Sequence, residues 1–430
     1  MNQNNFLNRI FNSKHYPWLV WGLGAAFFCV EYFARLAPSV MVTDLMQAFN
    51  TDALGIGVLS GWFYVAYLGM QIPVGVFLDR FGANHLLVFA AFLSGLSCFL
   101  LACADSLTIA CISRFLIGFG GAFAFVGTLK LATIWFPSNK FGLIAGATQA
   151  LGMLGATMAE GPLSLIISAI GWRDSMVLIG CCLIVVAFLI AILVKTNIGQ
   201  SSVLKPAKQL SSIKEIRSGM LEVMQNKQTW LIGLIAALLY GPTAAFGELW
   251  GVTYLENVQH LSYHDAANAI SLIFLGWTVG GPLSGWFSDR IKKRKPGLFI
   301  SAAGSFCTLT IVLYMPNLST TVIFLLMFIY GIMNTGIVNI YALSSEINKQ
   351  SVSGISMALT NMNAVILGFL FQPVIGYILN ATWDGKIVNN IKVYSAQSYE
   401  QAVIILPCCA ILAFLFSFKV KETHCKRICS

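Results

Sequence analysis

Charge is what this chain has least of. Only 10% of its 430 residues are Asp, Glu, Lys or Arg, against 57% that are apolar. A water-soluble domain carries about 25% charged residues. With a mean hydropathy of +0.77, the chain cannot hide its apolar surface in one water-soluble core and belongs in a bilayer. Metal and redox patterns are missing as well. There is no C-x-x-C pair, and cysteines such as Cys29, Cys98, Cys181 and Cys409 sit inside apolar runs as small hydrophobes. Cys425 and Cys429 stand in a basic tail, where lipidation is the alternative to a plain solvated thiol. The five histidines, His15, His85, His260, His264 and His424, all fall outside the apolar runs, so a proton relay inside the membrane has to use carboxylates. His260 and His264 have helical spacing but read as a solvated loop pair rather than a metal site. No nucleotide loop, nucleophile elbow or metal cluster appears, so neither an enzyme nor a cofactor is expected. A cleavable signal is not expected either, because the first apolar run is long and begins after residue 17.

What the chain has is twelve apolar runs, each near the ~20 residues needed to cross hydrocarbon. They cover 18–41, 54–78, 86–104, 107–133, 142–170, 174–194, 229–254, 266–288, 298–315, 320–343, 354–380 and 402–418. The expected fold is an all-α membrane protein of twelve transmembrane helices in two pseudo-symmetric six-helix halves. These are residues 1–194 and 229–430, joined by a linker at 195–228 in which an amphipathic surface helix or a solvated basic loop fits equally well. The stretch 381–400 reads as irregular.

A repeat supports the two halves. Gly75-Val-Phe-Leu-Asp79-Arg80-Phe-Gly82 closes the second run, and Gly285-Trp-Phe-Ser-Asp289-Arg290 returns 210 residues later. Gly161-Pro162 and Gln372-Pro373 repeat at almost the same offset, 211 residues. Parallel repeats of six spans are a mark of secondary transporters. The repeated G-x-x-x-D-R motif resembles the signature of the major facilitator superfamily, and that resemblance covers nearly the whole chain. It implies transport by alternating access, with spans one, four, seven and ten lining a central cavity. Gly75, Gly82 and Gly285 would then let helices approach closely at a gate. Asp79, Arg80, Asp289 and Arg290 would supply the gate's polar contacts, or else act only as topology signals. Glu31-Tyr-Phe-Ala-Arg35-Leu-Ala-Pro38 and Leu129-Lys130-Leu-Ala-Thr-Ile-Trp135-Phe-Pro137 are similar to the phagosomal-transporter group, amino-acid importers of intracellular bacteria. Trp135-Phe-Pro137 and Gly171-Trp172-Arg173 also resemble sugar-acid symporters.

Few charges remain inside the runs: Glu31, Arg35, Arg114, Glu160 and Glu248. Burying such groups is costly, so each is a functional candidate. Glu31 and Arg35 are one helical turn apart and can meet, either as a self-neutralising pair or as a proton site beside a substrate-carboxylate clamp. Arg114 has a structural reading beside a coupling one, and so does Glu160 at the Gly-Pro bend. Arg35, Glu248, Tyr32, Tyr330 and Asn334 are the expected substrate contacts, and Glu31, Arg114 and Glu160 the expected proton-coupling residues. Two carboxylates with two arginines suit a small zwitterion. The reading is therefore a proton-coupled importer of an amino acid. An organic-anion symporter or a drug or siderophore exporter is the alternative, and a non-transporting sensor the second; the tail after 418 is too short for a signalling domain. The expected partners are a small-molecule substrate, a coupling ion (the proton) and the lipid bilayer, with no nucleic acid, in a monomer.

Orientation follows from the cations. With the N-terminus inside, 20 of the 26 Lys and Arg residues fall on the cytoplasmic side, which places both termini there, in a bacterial inner membrane. A membrane-impermeant thiol reagent should label single cysteines placed near Lys386 in intact cells but not those near Lys208 or Lys293. Labelling at 208 would reverse the orientation.

Overall fold

Apolar runs without internal charge satisfy their backbone groups in lipid only as helices. A computed structural model describes residues 13–137, 140–194, 213–389 and 391–427, without the side chains of Asp79, 213–217 and Ser351. Twelve of its helices are long and apolar enough to span a bilayer. They are α1 (Tyr16–Val40), α2 (Ala53–Met70), α3 (Ala83–Ala102), α4 (Leu107–Trp135), α5 (Phe141–Met158) and α6 (Trp172–Leu193). The second set is α7 (Lys227–Asn257), α8 (Tyr263–Ile291), α9 (Lys295–Tyr314), α10 (Thr320–Glu346), α11 (Ser353–Ala381) and α12 (Ala396–Ser417). An even number of crossings puts Tyr16 and Ser417 at one end, the terminal end; the other is the far end.

Helices that start at the far end carry their own start signals. Asp52, Ser106, Ser262, Ser319 and Ser395 each cap α2, α4, α8, α10 and α12 by accepting a backbone N–H with the side chain. The sixth, α6, begins after Gly171 at φ 83°, a left-handed conformation suited to glycine. Proline sets the interruptions. Pro38 opens a 3₁₀ turn, Ala37–Val40, at the end of α1. Pro73 starts a separate helix, Pro73–Phe81, so the run expected over 54–78 is two helices with a turn at Gln71 and Ile72. Pro162 does the same in the fifth run: α5 stops at Met158 and Gly161–Ile170 follows. The related Pro373 leaves α11 unbroken. Two further departures were not foreseen. Thr243–Trp250 within α7 is π-helical, and 387–392 forms a short antiparallel hairpin, Ile387–Val388 with Ile391–Lys392, in the stretch expected to be irregular. The interdomain stretch 195–212 lies outside the described residues, and Ile213–Gln225 after it is helical.

The first six and last six spans meet over the far half of the molecule. There α2 runs against α11, and α5 against α8. A Cβ at Gly57 would strike the backbone of Gln372 and Pro373, and one at Gly376 the backbone of Ala53, so only glycine permits this approach. Polar ties reinforce it. Lys392 Nζ reaches Asp52 Oδ2 at 3.0 Å, Tyr394 OH accepts the Ala53 N–H at 3.0 Å, and the Tyr263 hydroxyl donates to the Val40 carbonyl. Partial burial works upward on the Asp52 carboxyl, but hydrogen bonds from Asn380, Lys392 and the Gly55 N–H, with the Lys392 charge, hold it below the usual range. Toward the terminal end the last tie between the two groups among the described residues is from Asn361 Nδ2 to Gln71 Oε1, at 2.9 Å. Beyond it no hydrogen bond or ion pair joins the two groups among the described residues. The far end is closed by these contacts.

The residues after α12 pack across the terminal end of the last six spans. Glu422 accepts the backbone N–H groups of Arg294 at 2.8 Å and Lys295 at 2.9 Å, the exposed start of α9. Thr423 donates to Glu346 at 2.5 Å, and Arg294 joins Glu346 at 2.7 Å to Asp289 at 2.8 Å. Partial burial pushes the Glu422 carboxyl up, but the N–H groups of Arg294, Lys295, His424 and Thr423 hold it net below the usual range. A depressed folded-state pKa means stability present above the unfolded value, ~4.3, and lost as pH falls through the folded one. Glu422→Gln should therefore cost about 0.5–1 kcal/mol at neutral pH, the scale of an anion at a helix start. The gap from the parent in thermal unfolding should shrink toward pH 3–4; a gap that widens there would rule out this role.

Candidate functional site

The break points above decide where the membrane charges land. Arg35 leaves α1 just before its 3₁₀ turn, and Glu248 leaves α7 within the π-helical stretch. They meet across the seam between the two six-helix groups. Arg35 Nη2 lies 2.9 Å from Glu248 Oε1 and 3.1 Å from Oε2, and Nε 3.1 Å from Oε2. Arg35 is 5% exposed and Glu248 2%. Tyr240 accepts from Arg35 Nη2 at 2.9 Å and donates to Glu248 Oε1 at 2.6 Å. The Tyr64 hydroxyl donates to the other carboxylate oxygen. Four rings surround the guanidinium: Tyr32, Phe63, Tyr64 and Tyr67, with centroids 5.4 to 5.6 Å away. Trp277 packs edge-on against Tyr240, and its Nε1 has no hydrogen-bond partner.

Helical spacing led to the expectation that Arg35 pairs with Glu31. The structure corrects it. Glu31 is 1% exposed, and its Oε1 has no hydrogen-bond partner. It lies against α4 at Gly121, where a Cβ would meet its carboxylate. Arg35 points across to α7 because a fully buried guanidinium needs a planar two-oxygen partner with its lone pairs occupied, and Glu248, braced by two tyrosines, provides one.

Arg114 is also close but turned to another task. Its Nη1 donates to the Ala34 carbonyl at 2.6 Å and Nη2 to the Arg35 carbonyl at 3.0 Å. These are the last carbonyls of α1, which the 3₁₀ turn leaves over. Arg114 thus holds the backbone that carries Arg35. Glu160 lies at the break between α5 and Gly161–Ile170, fully buried, and both its oxygens are within 2.7 Å of Ser39 Oγ on the 3₁₀ turn of α1. Beside it Ser271 of α8 accepts the Gly161 N–H at 2.7 Å and donates to the Thr157 carbonyl at 2.8 Å, filling the backbone groups that the break frees. His264, expected in a loop, is in the first turn of α8, 3.1 Å from Ser164 Oγ.

Tyr330 and Asn334 of α10 are not brought to Arg35. Tyr330 OH contacts Thr243 at 3.0 Å, and Asn334 donates to the Leu239 carbonyl at 2.8 Å and accepts from Thr243 at 3.2 Å. They serve the bend of α7, whose distorted backbone needs side-chain partners. Trp62 of α2 is 41% exposed and packs edge-on against Phe115. Gly75 and Gly285 have open space where a Cβ would stand, so neither makes a close approach to a neighbouring helix. Gly82 takes φ 82° between Pro73–Phe81 and α3. Arg80 lies over Phe81 and Arg290 over Trp286, each 5.5 Å from the ring centroid. Asp289 is held within its own group by Arg294. The Asp79 side chain lies outside the description. Phe63 and Tyr64 were missed from sequence. The one available signal was the aromatic spacing Phe63-Tyr64-x-x-Tyr67, which on a helix reads equally as packing.

Comparison with known proteins agrees with this architecture. A family model described as Major Facilitator Superfamily matches residues 23–384. The probable sulfoacetate transporter of Cupriavidus necator is 23% identical over 85% of this chain and 87% of its own. The probable galactarate/D-glucarate transporter of Escherichia coli is 22% identical over 83% of this chain and 86% of its own. The crystal structure of a bacterial homologue of the human lysosomal transporter Spinster, inward-facing and unoccupied, superposes with a TM-score of 0.76 at 16% identity, covering 95% of this chain and 98% of that one.

Replacing Arg114 by Met should strand two carbonyls beside the buried fork. The expected loss is about 1–3 kcal/mol for each, read as a lowered unfolding temperature in detergent, with Arg114→Lys restoring only part. Full stability in Arg114→Met would show that these carbonyls have another partner.

Proposed function

This chain is a member of the major facilitator superfamily, and on that premise we propose that it is a proton-coupled secondary transporter of a small organic anion, with Arg35 as the clamp for the anionic head. The observation that carries this is a fully buried guanidinium, ringed by four aromatic side chains, at the seam where the two six-helix groups meet. A planar fork in a dry site binds carboxylate or sulfonate in two-point fashion. The named substrates of the two relatives, sulfoacetate and galactarate or D-glucarate, are acids of this class.

The zwitterion reading weakens on geometry. It needed two cavity carboxylates and two arginines at liberty. Arg114 is spent on α1, which leaves Arg35 as the one arginine of the two for a substrate's anionic head. The relatives' names support an acid rather than an amino acid. Twelve spans and these relatives make the chain an integral, multi-pass membrane protein. The excess of Lys and Arg at the terminal end supports a cytoplasmic placement of that end. The two six-helix groups are read as the two moving bodies, residues 1–194 and 229–430, on either side of the linker.

In proteoliposomes, labelled D-glucarate or sulfoacetate should accumulate when a pH gradient is imposed. Arg35→Lys keeps the charge but loses the planar fork, and should weaken binding by about 1.5–3 kcal/mol, 10- to 150-fold. Uptake of an amino acid with no uptake of either acid would reinstate the zwitterion reading, and undiminished binding by Arg35→Lys would remove the clamp.

A further inference from the structure

Arg35 is already holding a carboxylate. Glu248 covers Nε and Nη2 with both oxygens, and all hydrogen bonds from Arg35 to described residues run through those two nitrogens. That is the two-point grip a substrate carboxylate or sulfonate would use. The two anions cannot occupy it together. We propose that Glu248 is a resident counter-anion which the substrate displaces from Arg35, and that the displaced Glu248 carboxylate takes up the coupling proton. The proposal rests on the anion reading of the Arg35 site.

The empty carrier explains why such a group is needed. A guanidinium left unpaired at this depth is strongly destabilising, so a carrier that cycles without substrate needs its own anion there. Glu248 supplies it without net charge. When substrate takes the fork, Glu248 keeps acceptor contacts from the Tyr64 and Tyr240 hydroxyls but loses its cation. A carboxylate in a dry site without a cation favours its neutral form. The proton comes from water and adds to one carboxylate oxygen. The site passes from Arg⁺ with Glu⁻ to Arg⁺ with the anionic head and a neutral Glu248, one proton for each head bound.

The surroundings fit this exchange. Arg35 from α1, Tyr64 from α2 and Tyr240 from its own helix bond to Glu248, and Tyr32 and Glu31 on α1 and Glu160 at the break after α5 are the other titratable groups within electrostatic reach of it. The middle of α8, from Ala266 to Ser288, and the whole of α11 carry no charged residue. Arg35 is therefore the one cation in hydrogen-bonding contact with Glu248 among the described residues. The backbone under Glu248 is π-helical, and such irregular turns recur where a helix has to shift locally. The Arg35–Glu248 bridge also ties α1 to α7 across the seam. Its replacement by a substrate held from one side loosens the closed far end, which links binding to the change of state.

The test uses the full chain, purified, with labelled D-glucarate and sulfoacetate as probes between about pH 6 and 8. If one proton enters with each anionic head, parent affinity rises up to about tenfold per pH unit lowered. Glu248→Gln leaves the fork without a competitor. It should bind at least about tenfold tighter at the alkaline end, lose the pH dependence, and exchange substrate across liposomes without accumulating it on a pH gradient. A Glu248→Gln protein that keeps the parent's pH slope, or that is monodisperse and binds more weakly, overturns the proposal. Tyr64→Phe guards against a misfolded Glu248 variant. It removes one hydroxyl that favours the ionised carboxylate, so half-maximal binding should move to higher pH; an unmoved profile also overturns the proposal. A parent that binds both acids with no pH dependence sinks the Glu248 assignment alone, whereas a parent that binds neither sinks the anion reading itself.

Discussion

One constraint organises the middle of this molecule: a guanidinium buried in lipid-facing architecture has to be neutralised in place. The Arg35–Glu248 bridge does this across two helices that belong to different six-helix groups. Because each partner is almost fully buried, neither can turn to water instead. The surrounding features follow from that requirement. Tyr64 and Tyr240 occupy the carboxylate's remaining lone pairs, four rings enclose the guanidinium, and Arg114 secures the end of α1 on which Arg35 sits. A bridge of this kind is weak support for stability by itself. Its value lies in having two arrangements, paired internally or paired to a substrate.

Helix breaks put the charged groups where they are. The 3₁₀ turn at Ala37–Val40 frees carbonyls that Arg114 takes, and its Ser39 hydroxyl reaches Glu160. The break at Pro162 opens α5 to Ser271 from the opposite group, so a backbone defect in one group is completed by a side chain of the other. The π-helical stretch of α7 turns Glu248 inward while Thr243 at its start engages Tyr330 and Asn334. Each break is a polar backbone site in an apolar region met by a side chain: from the same group at α1 (Arg114) and α7 (Asn334), and from the opposite group at α5 (Ser271). At α5 the satisfaction of the break is also a contact that joins the two groups.

The two copies of the Gly-x-x-x-Asp-Arg motif illustrate how repetition and environment diverge. Their glycines face open space and their arginines lie over neighbouring rings. The second copy differs in being enclosed by the residues after α12, where Arg294 gathers Asp289 and Glu346 and Glu422 covers the start of α9. That network braces the terminal end of the last six spans.

Much of this was written in the sequence. Charge scarcity and run length dictated a twelve-helix membrane protein, because an unpaired backbone in lipid has no alternative to helix. Serine and aspartate at the far-end helix starts act through neighbouring residues and are legible locally, whereas proline is not decisive by itself: Pro73 and Pro162 interrupt their runs and Pro373 does not. The short list of buried charges was legible too, since their cost is set by composition and depth. Pairing was not. Spacing put Glu31 within reach of Arg35, yet Arg35 chose Glu248, more than two hundred residues away, because partner choice depends on which carboxylate has its other lone pairs satisfied. Tyr330 and Asn334 shared a helix expected to line the cavity but turned to the bend of α7, a distortion no periodicity announced. The sequence by itself determined which groups must be neutralised inside the membrane; only the tertiary structure, by bringing distant helices to one seam, decided which group neutralises which.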